Sequence, residues 1–402
     1  MKTSKADPIN GVTTNELPHA VREGYFTNDP INGVTTNTNL RVLLAGKLTA
    51  LAAPGGAETQ LQALARALTG LGVDARPWRP WEEPLQADCL HLVGSEPEHL
   101  DLVEAAHRRG MPVVLSSVAW FDLASCWREP WPIAHRLWSC GKFVARAALP
   151  RLPSWRRALY QAADLVLPNS KAEALQLIRY FGVSPRRIRV VPNGAEPRFA
   201  RGDPKPFATL VGCRGFVLYA GRIEPRKNQL GFLRATAGLD LPVVVLGSVV
   251  PGHEPYLARC RQAAGPRVKF IDRVERDGPL LASAYAACGC LVLASWFETP
   301  GLVALEAGMS GVPLVLPAGG CAREYFGRHA GYVTPDDLPA IRRETLAALR
   351  RGRSNALAEL VRQNYSWTAA ALATRAAYLN AAYLNTTYSN LVQHSPCSRA
   401  VA

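Results

Sequence analysis

Two glutamates, Glu298 and Glu306, lie eight positions apart in the segment SWFETPGLVALEAGMSGVPLVLP, which occupies positions 295–317. The apolar run at 291–294 predicts a buried strand, and positions 301–309 predict a helix that follows it. Glu298 would then lie in the loop before the helix and Glu306 in its second turn. This spacing lets both carboxylates face one ligand, and carboxylates accept hydrogen bonds from hydroxyl groups.

The start of the predicted helix suits a phosphate. Its first N–H groups have no acceptors within a helix, and the positive end of the helix dipole attracts an anion. Gly301 has no Cβ, so a ligand can approach the backbone at Gly301 and Leu302. A sugar nucleotide offers hydroxyl groups and phosphates together, which makes it a suitable ligand. Acidic residues placed only to match the helix dipole would give the same pattern.

A pair of basic residues, Arg222 and Lys227, follows the apolar run at 216–221. Ligands of open parallel sheets bind beyond the carboxyl ends of the strands, where this pair would lie. The guanidinium fork and the ammonium group both suit a diphosphate. The alternative is a basic surface loop, because the chain has 46 Lys and Arg residues.

Two glycines, Gly55 and Gly56, separate the first predicted strand from the first predicted helix. Glycines at such a turn allow the backbone to approach a ligand closely. An isolated Gly-Gly pair is a weak signal by itself.

These segments together resemble the retaining glycosyltransferases of family 4, also described as group 1, which have the GT-B fold. The donor-site resemblance rests on the glutamate pair with seven residues between its members, the Pro-Gly, and the trailing EAGMSGVPLV. Arg222 and Lys227-Asn228 are similar to a GR…KN segment of the family. Gly55-Gly56 with Glu58 resembles its GGxE loop, and positions 318–337 resemble its GG…E…G segment.

The resemblance implies a role for each residue. Glu298 would contact the donor sugar, Glu306 the nucleotide ribose, and Arg222 and Lys227 the donor phosphates. The family transfers a sugar from a nucleotide sugar to a hydroxyl acceptor with retention, and many members build envelope polysaccharides or glycolipids. The acceptor would accordingly be a glycan or a lipid-linked molecule. No acidic cluster indicates a metal site, so we expect no metal and no other cofactor.

One departure from the family concerns the acceptor side. Many members have a histidine after the fourth strand of the first domain, whereas this chain has Ser116 and Ser117 there. Ser117 and Asp122 are the candidate replacements for this polar group. Two rival hypotheses remain: a nucleotide-sugar epimerase of the same fold, and a non-catalytic protein that binds a sugar nucleotide or an anionic membrane.

Composition sets broad limits on the function. The 402 residues include 48% hydrophobic residues and fit two globular domains. The sequence contains no apolar run of membrane-spanning length and no signal-peptide pattern, so we expect a cytoplasmic protein. The nine cysteines form no CxxC pair, which argues against metal or disulfide use. The net charge of +14 indicates an acidic partner.

Short apolar strands alternate with helices along the chain, which predicts two Rossmann-like, doubly wound parallel-sheet domains that face each other across a cleft. The predicted domains are 40–196, on the acceptor side, and 215–365, which binds the donor. A linker at 196–214 joins them, and a C-terminal helix at 366–385 follows. The twice-repeated DPINGVTTN places a disordered extension at 1–39, and 386–402 is predicted to be a loose tail. Predicted strands are 40–46, 89–94, 112–117, 164–168, 187–192, 216–221, 241–247, 267–271, 290–294 and 312–317.

The region 126–160 combines four of the nine tryptophans with seven Lys and Arg residues and one acidic residue, Glu129. Such a mixture suits an anionic membrane surface. It also suits nucleic acid, a partner that we consider unfavoured. The third interpretation is a helical excursion packed by its aromatic residues, with a solvated basic face. If the region binds a membrane, the protein would be peripheral at the inner membrane face.

Overall fold

The structure is a computed structural model, and it describes residues 40–47, 55–128 and 132–393. The predicted disordered extension at 1–39 lies outside the described residues. So does the part of the predicted tail that follows residue 393.

The first domain is built on a parallel five-stranded sheet in the order β2-β1-β3-β4-β5. Three of its strands are buried along their whole length, because helices cover both faces of the sheet. The strands are β1 (Arg41–Ala45), β2 (Asp74–Pro77), β3 (Cys89–Val93), β4 (Val113–Ser116) and β5 (Leu165–Val166). The helices are α1 (Gly56–Thr69), α2 (His99–His107), α3 (Leu123–Arg128), α4 (Ile133–Ala148), α5 (Trp155–Ala162) and α6 (Lys171–Phe181).

The second domain has a parallel six-stranded sheet in the order β11-β10-β9-β6-β7-β8. Its strands are β6 (Val217–Ala220), β7 (Val243–Leu246), β8 (Val268–Ile271), β9 (Cys290–Val292), β10 (Leu314–Pro317) and β11 (Ala330–Val333). Its helices are α7 (Lys205–Val211), α8 (Gln229–Thr236), α9 (Glu254–Ala263), α10 (Pro279–Ala287), α11 (Leu302–Met309), α12 (Ala322–Phe326), α13 (Leu338–Arg351) and α14 (Asn355–Asn364). The two parallel α/β domains confirm the predicted fold class.

One predicted strand is absent and two strands were missed. The segment 187–192 makes a single bridge, between Ile188 and Val166, and is otherwise irregular. The N–H groups of Arg189 and Val191 bond to the carbonyl groups of Val166 and Pro168, so the segment lies beside β5 without forming a full ladder. The missed strands β2 and β11 lie at sheet edges, where polar or short sequences are tolerated and the apolar signal is weak.

The predicted linker is folded into the second domain instead of connecting the domains loosely. It contains a 3₁₀ helix, Pro197–Arg201, and α7. Phe199, Phe207 and Val211 are buried in the core of the second domain. Phe207 and Val211 have the four-residue spacing of a helix, but α7 has only seven residues and lies beside Pro, Gly and charged residues, so the sequence showed only a polar stretch.

The last helix, α15 (Trp367–Gln393), returns to the first domain, where Trp367 and Tyr378 join the core around β1 and β3. It extends further than predicted, so positions 386–393 are helical and not a loose tail. Within the described residues no helix is long and apolar enough to span a membrane. No disulfide bond joins the cysteines of these residues.

Candidate active site

A cavity of about 680 Å³ lies between the two domains, at the carboxyl ends of β6 and β9. All eight residues that the sequence assigned to donor binding or catalysis line it. They are Gly55, Gly56, Arg222, Lys227, Glu298, Gly301, Leu302 and Glu306. These residues come from three separate parts of the chain, so the cavity exists only in the folded protein.

Glu298 lies in the loop between β9 and α11 and is buried. Its Oε1 accepts hydrogen bonds from Lys227 Nζ at 2.5 Å and from Ser295 Oγ at 2.6 Å. Burial would raise the pKa of Glu298, but the charges of Lys227 and Arg226 outweigh it and the pKa falls below its usual value. Glu298 and Lys227 therefore form a buried ammonium–carboxylate pair, although burial lowers the pKa of Lys227.

Two glycines place Glu298 and the start of α11. Gly320 has φ +97°, and a Cβ there would collide with the carbonyl group of Glu298, with which it forms a bridge. Gly301, which precedes the first residue of α11, has φ +86°. Only glycine adopts these backbone conformations without strain. A residue with a side chain at either position would therefore displace the loop that carries Glu298.

Glu306 lies on α11, is fully buried, and meets two partners from the second domain. Its Oε2 accepts a hydrogen bond from Tyr285 at 2.7 Å, and its Oε1 lies 2.6 Å from Arg276 Nη2. Burial raises its pKa, while Arg276 and Tyr285 act in the opposite direction. The two contacts fix the carboxylate at the wall of the cavity.

Arg276 is a cavity residue that sequence reasoning missed. It lies in the loop after β8, so its place beyond a strand carboxyl end was an available signal. The signal was weak because a second arginine, Arg273, lies three positions earlier in the same loop. Arg276, Arg226 and Arg273 bring three further cations to the cavity beside Arg222 and Lys227.

Arg222 connects the two sides of the cavity. A Cβ at Gly55 would lie 3.2 Å from Arg222 Nη1, so the glycine loop of the first domain packs directly beside this guanidinium. The side chain of Arg222 is 41% exposed and lies 3.4 Å from Glu224. It is the more accessible of the two predicted phosphate ligands, because Lys227 is 13% exposed.

The two residues expected on the acceptor side were Ser117 and Asp122. Ser117 is fully buried and donates its hydroxyl group to Glu173 at 2.6 Å, so it does not line the cavity. Its neighbour Val118 lines the cavity instead. Asp122 lies near the second domain, because a Cβ at Gly319 would be 3.8 Å from Asp122 Oδ2. The Ser117 hydroxyl therefore does not face the cavity, and the role of Ser117 and Asp122 on the acceptor side stays a prediction.

No group of three His, Cys, Asp or Glu side chains in the described ranges is placed to hold a metal ion. The absence of a cofactor stays a prediction from the sequence.

Comparison with known proteins agrees with this geometry. Residues 54–199 match the family model described as Glycosyltransferase Family 4, and residues 214–351 match the one described as Glycosyl transferases group 1. A D-inositol 3-phosphate glycosyltransferase 2 from Catenulispora acidiphila is 30% identical over 68% of this chain and 72% of its own length. The chain belongs to the family 4, group 1 glycosyltransferases. A D-inositol 3-phosphate glycosyltransferase from Actinosynnema mirum is 31% identical over 68% of this chain and 74% of its own.

Solved structures of similar fold include sucrose-phosphate synthase from Thermosynechococcus elongatus, with a TM-score of 0.64 and 17% identity. That alignment covers 88% of this glycosyltransferase and all of the synthase chain. HepE of Anabaena, solved with UDP and glucose, has a TM-score of 0.56 and 16% identity over 89% of this chain and all of its own. At these identities the structures support the GT-B fold of the family and not a particular substrate.

Proposed function

We propose that this glycosyltransferase moves a sugar from a nucleoside diphosphate sugar to a hydroxyl group of a glycan or lipid-linked acceptor. The supporting observation is that one cavity is lined both by two buried carboxylates, Glu298 and Glu306, and by the cations Arg222 and Lys227. Carboxylates accept hydrogen bonds from hydroxyl groups, and the cations suit a diphosphate. A nucleotide sugar carries hydroxyl groups on its ribose and on its sugar, with the diphosphate between them, so it offers both kinds of group to one cavity.

In the proposed reaction the bond between the sugar and the diphosphate breaks, and negative charge develops on the departing phosphate. Arg222, Lys227 and the backbone at Gly301 and Leu302 stabilise that charge electrostatically. Glu298 orients the sugar, and Glu306 binds the ribose. The fixed cations can neutralise the phosphate charge without a metal.

Retention of the anomeric configuration is part of the proposal and is supported by family membership alone. The cavity between the domains suits transfer with either stereochemical outcome, because enclosure keeps water from competing with the acceptor. The stereochemical outcome is measurable by NMR, since the anomeric coupling of the first-formed product distinguishes retention from inversion. An inverted product would exclude the retaining mechanism and leave the transferase assignment intact.

The first experiment is a thermal-shift screen of UDP, GDP, ADP and their glucose conjugates against the wild type and Glu306→Ala. Glu104→Gln, an exposed substitution on α2, is the matched control. One nucleotide should stabilise the wild type and the control but not Glu306→Ala. Donor incubated with and without acceptor then separates the rivals, because an epimerase alters the sugar without an acceptor. No response to any nucleotide would sink the proposal.

We also propose that the surface of α3–α5 contacts an anionic membrane, which would bring a lipid-linked acceptor to the cleft. Eight large apolar side chains are exposed there: Leu123, Trp127, Ile133, Leu137, Trp138, Val144, Leu149 and Leu152. Between positions 132 and 163 the chain has six Lys and Arg residues and no acidic residue. Exposed aromatic and aliphatic side chains among cations suit the boundary between lipid headgroups and acyl chains.

Co-sedimentation with vesicles tests this contact. The wild type should bind vesicles that contain phosphatidylglycerol, and binding should weaken as salt rises because the attraction is partly electrostatic. Trp138→Glu should abolish binding, whereas Trp81→Glu should not, although Trp81 is 97% exposed. Equal binding by both variants, or no binding by the wild type, would contradict the membrane proposal without affecting the donor site.

A further inference from the structure

Val118 has an unusual backbone for a residue in the wall of the cavity. Its φ is +44°, in the left-handed region that β-branched residues rarely adopt. It lies two residues after the end of β4 and lines the cavity from the first-domain side. Strained conformations of this kind persist only where neighbouring contacts enforce them, and they concentrate at binding sites.

Hydrogen bonds on both sides of Val118 enforce this conformation. Glu173 Oε1 accepts from Ser117 Oγ at 2.6 Å and from the Ala119 N–H at 2.7 Å. The Ser117 carbonyl in turn accepts from Ser95 Oγ at 2.6 Å. The residues before and after Val118 are therefore both fixed by one carboxylate.

Gln176, one turn further along α6, continues the same pattern. The Phe121 N–H donates to Gln176 Oε1 at 2.9 Å, and Gln176 Nε2 donates to the Phe121 carbonyl at 2.8 Å. Glu173 and Gln176 thus act on the 117–121 segment as a neighbouring strand would, by pairing with its backbone groups. One face of α6 aligns the whole segment.

Burial of the Glu173 carboxylate costs free energy. Glu173 is 1% exposed, and its carboxylate accepts hydrogen bonds from three neutral donors: Ser117 Oγ and the N–H groups of Ala119 and Asn169. Burial raises its pKa to about 7 against the effect of these bonds. A buried carboxylate without a cationic partner is expensive, so a simple packing role would be served better by an apolar residue.

We infer that Glu173 is a positioning residue for transfer: with Gln176 it holds the 117–121 segment so that Val118 forms the acceptor-side wall of the cavity. The inference rests on the proposed function, because that wall matters to an acceptor that approaches the bound donor. It predicts that Glu173 affects the acceptor step and leaves nucleotide binding unchanged, since the diphosphate ligands lie in the second domain.

The test compares Glu173→Gln and Gln176→Ala with the wild type and with the control Glu104→Gln. Hydrogen–deuterium exchange at positions 117–121 and binding of UDP, GDP and ADP are measured on each protein, followed by transfer kinetics. Both variants should lose protection in this segment and lose about tenfold or more in acceptor kcat/KM, as expected for a lost hydrogen bond to a charged or buried group. Their nucleotide affinity should stay within about twofold of the wild type.

Unchanged protection in both variants would overturn the inference, and so would a parallel loss of nucleotide affinity. Gln176→Ala keeps the test decisive if Glu173→Gln does not fold. If the wild type itself transfers no sugar, the proposed function fails. The exchange measurement then still decides whether α6 holds the segment.

Discussion

At the scale of single residues, the buried Lys227–Glu298 pair governs the chemistry of the cavity. Only 13% of the Lys227 side chain and 6% of the Glu298 side chain are exposed. Little water reaches either group, so each charge is stabilised mainly by the other. A diphosphate that binds beside Lys227 adds negative charge where one carboxylate is already present, so Arg222 and Arg276 are needed to balance it.

Lys227→Ala tests this arrangement. Affinity for a nucleoside diphosphate should fall about tenfold or more, because a charge-assisted hydrogen bond is lost. Affinity for the corresponding nucleoside should change little, since it has no phosphate. Calorimetry on both ligands measures the difference, with Arg267→Ala, an exposed arginine outside the cavity, as the control. Equal losses for both ligands would show that Lys227 does not contact the diphosphate.

Tyr285→Phe addresses the second carboxylate. The change removes the hydrogen bond to Glu306 but keeps the ring in the core, so the unfolding free energy should fall by about 1–3 kcal/mol. Nucleotide affinity should fall as well, because Glu306 loses the contact that orients it. Urea denaturation and calorimetry check the two effects. A stable variant with unchanged affinity would mean that Arg276 alone positions Glu306.

His91 gives a pH dependence of known sign. It is buried between Tyr378 OH, 2.6 Å away, and Ser116 Oγ, 2.9 Å away, and burial lowers its pKa from 6.5 to about 3. Between pH 6.5 and about 3, the unfolded chain binds a proton at His91 and the folded chain does not. The stability that neutral His91 contributes is therefore lost as pH falls below 6.5. His91→Gln should flatten the stability curve between pH 6.5 and 5 by up to about 1.4 kcal/mol per pH unit. An unchanged slope would contradict the assignment.

At the scale of elements, the start of α6 is capped by the other domain. Glu324, on α12, accepts from the Lys171 N–H at 2.8 Å and from the Ala172 N–H at 3.1 Å. A carboxylate at this end of a helix is favoured by the free N–H groups and by the dipole. Since α6 also carries Glu173 and Gln176, the second domain is connected through one helix to the Val118 segment.

Glu324→Gln should weaken this cap. Because opening of the domains breaks the same contact, the free energy of opening should fall by roughly 0.5–2 kcal/mol. The domains should then separate more readily, which small-angle scattering would detect as a larger radius of gyration in the absence of nucleotide. Glu359→Gln, on the exposed side of α14, is the matched control. An unchanged radius in Glu324→Gln would mean that other contacts hold the domains together.

The elements also show where sequence patterns succeed. β1, β3 and β4 were predicted because short, mostly apolar runs are typical of strands buried on both faces, although β3 contains His91 and β4 ends in Ser116. The segment 196–214 was misinterpreted because its large apolar residues Phe199 and Phe207 are few and lie among Pro, Gly and charged residues. Their burial depends on cavities in the second domain that a local pattern does not encode.

At the scale of the whole molecule, α15 crosses back and completes the first domain. Trp367, Ala371 and Tyr378 belong to the core that includes β1 and α1. Gly194 faces the backbone of Ser366 and Trp367 so closely that a Cβ would collide with it. The two domains are thus joined at two neighbouring points, near residues 194 and 366, which is a suitable place for a hinge.

Tyr378→Ala should destabilise the first domain by about 3–5 kcal/mol, the usual cost of removing a buried aromatic ring. Tyr378→Phe should cost about 1–2 kcal/mol, because it removes only the hydrogen bond to His91. Guanidinium denaturation followed by circular dichroism measures both. If Tyr378→Ala unfolds at the wild-type midpoint, α15 does not contribute to the first-domain core.

The sequence by itself determined the fold class and singled out eight residues that line the cavity. Strand ends, helix starts and charged residues lie close together along the chain there, so short motifs carry the chemistry of Glu298, Glu306, Arg222 and Lys227. The tertiary structure alone decided how these groups are held. Arg276, Tyr285, Glu173 and Glu324 act through partners that are distant in sequence. A hydrogen bond between such residues depends on packing, which no local pattern records.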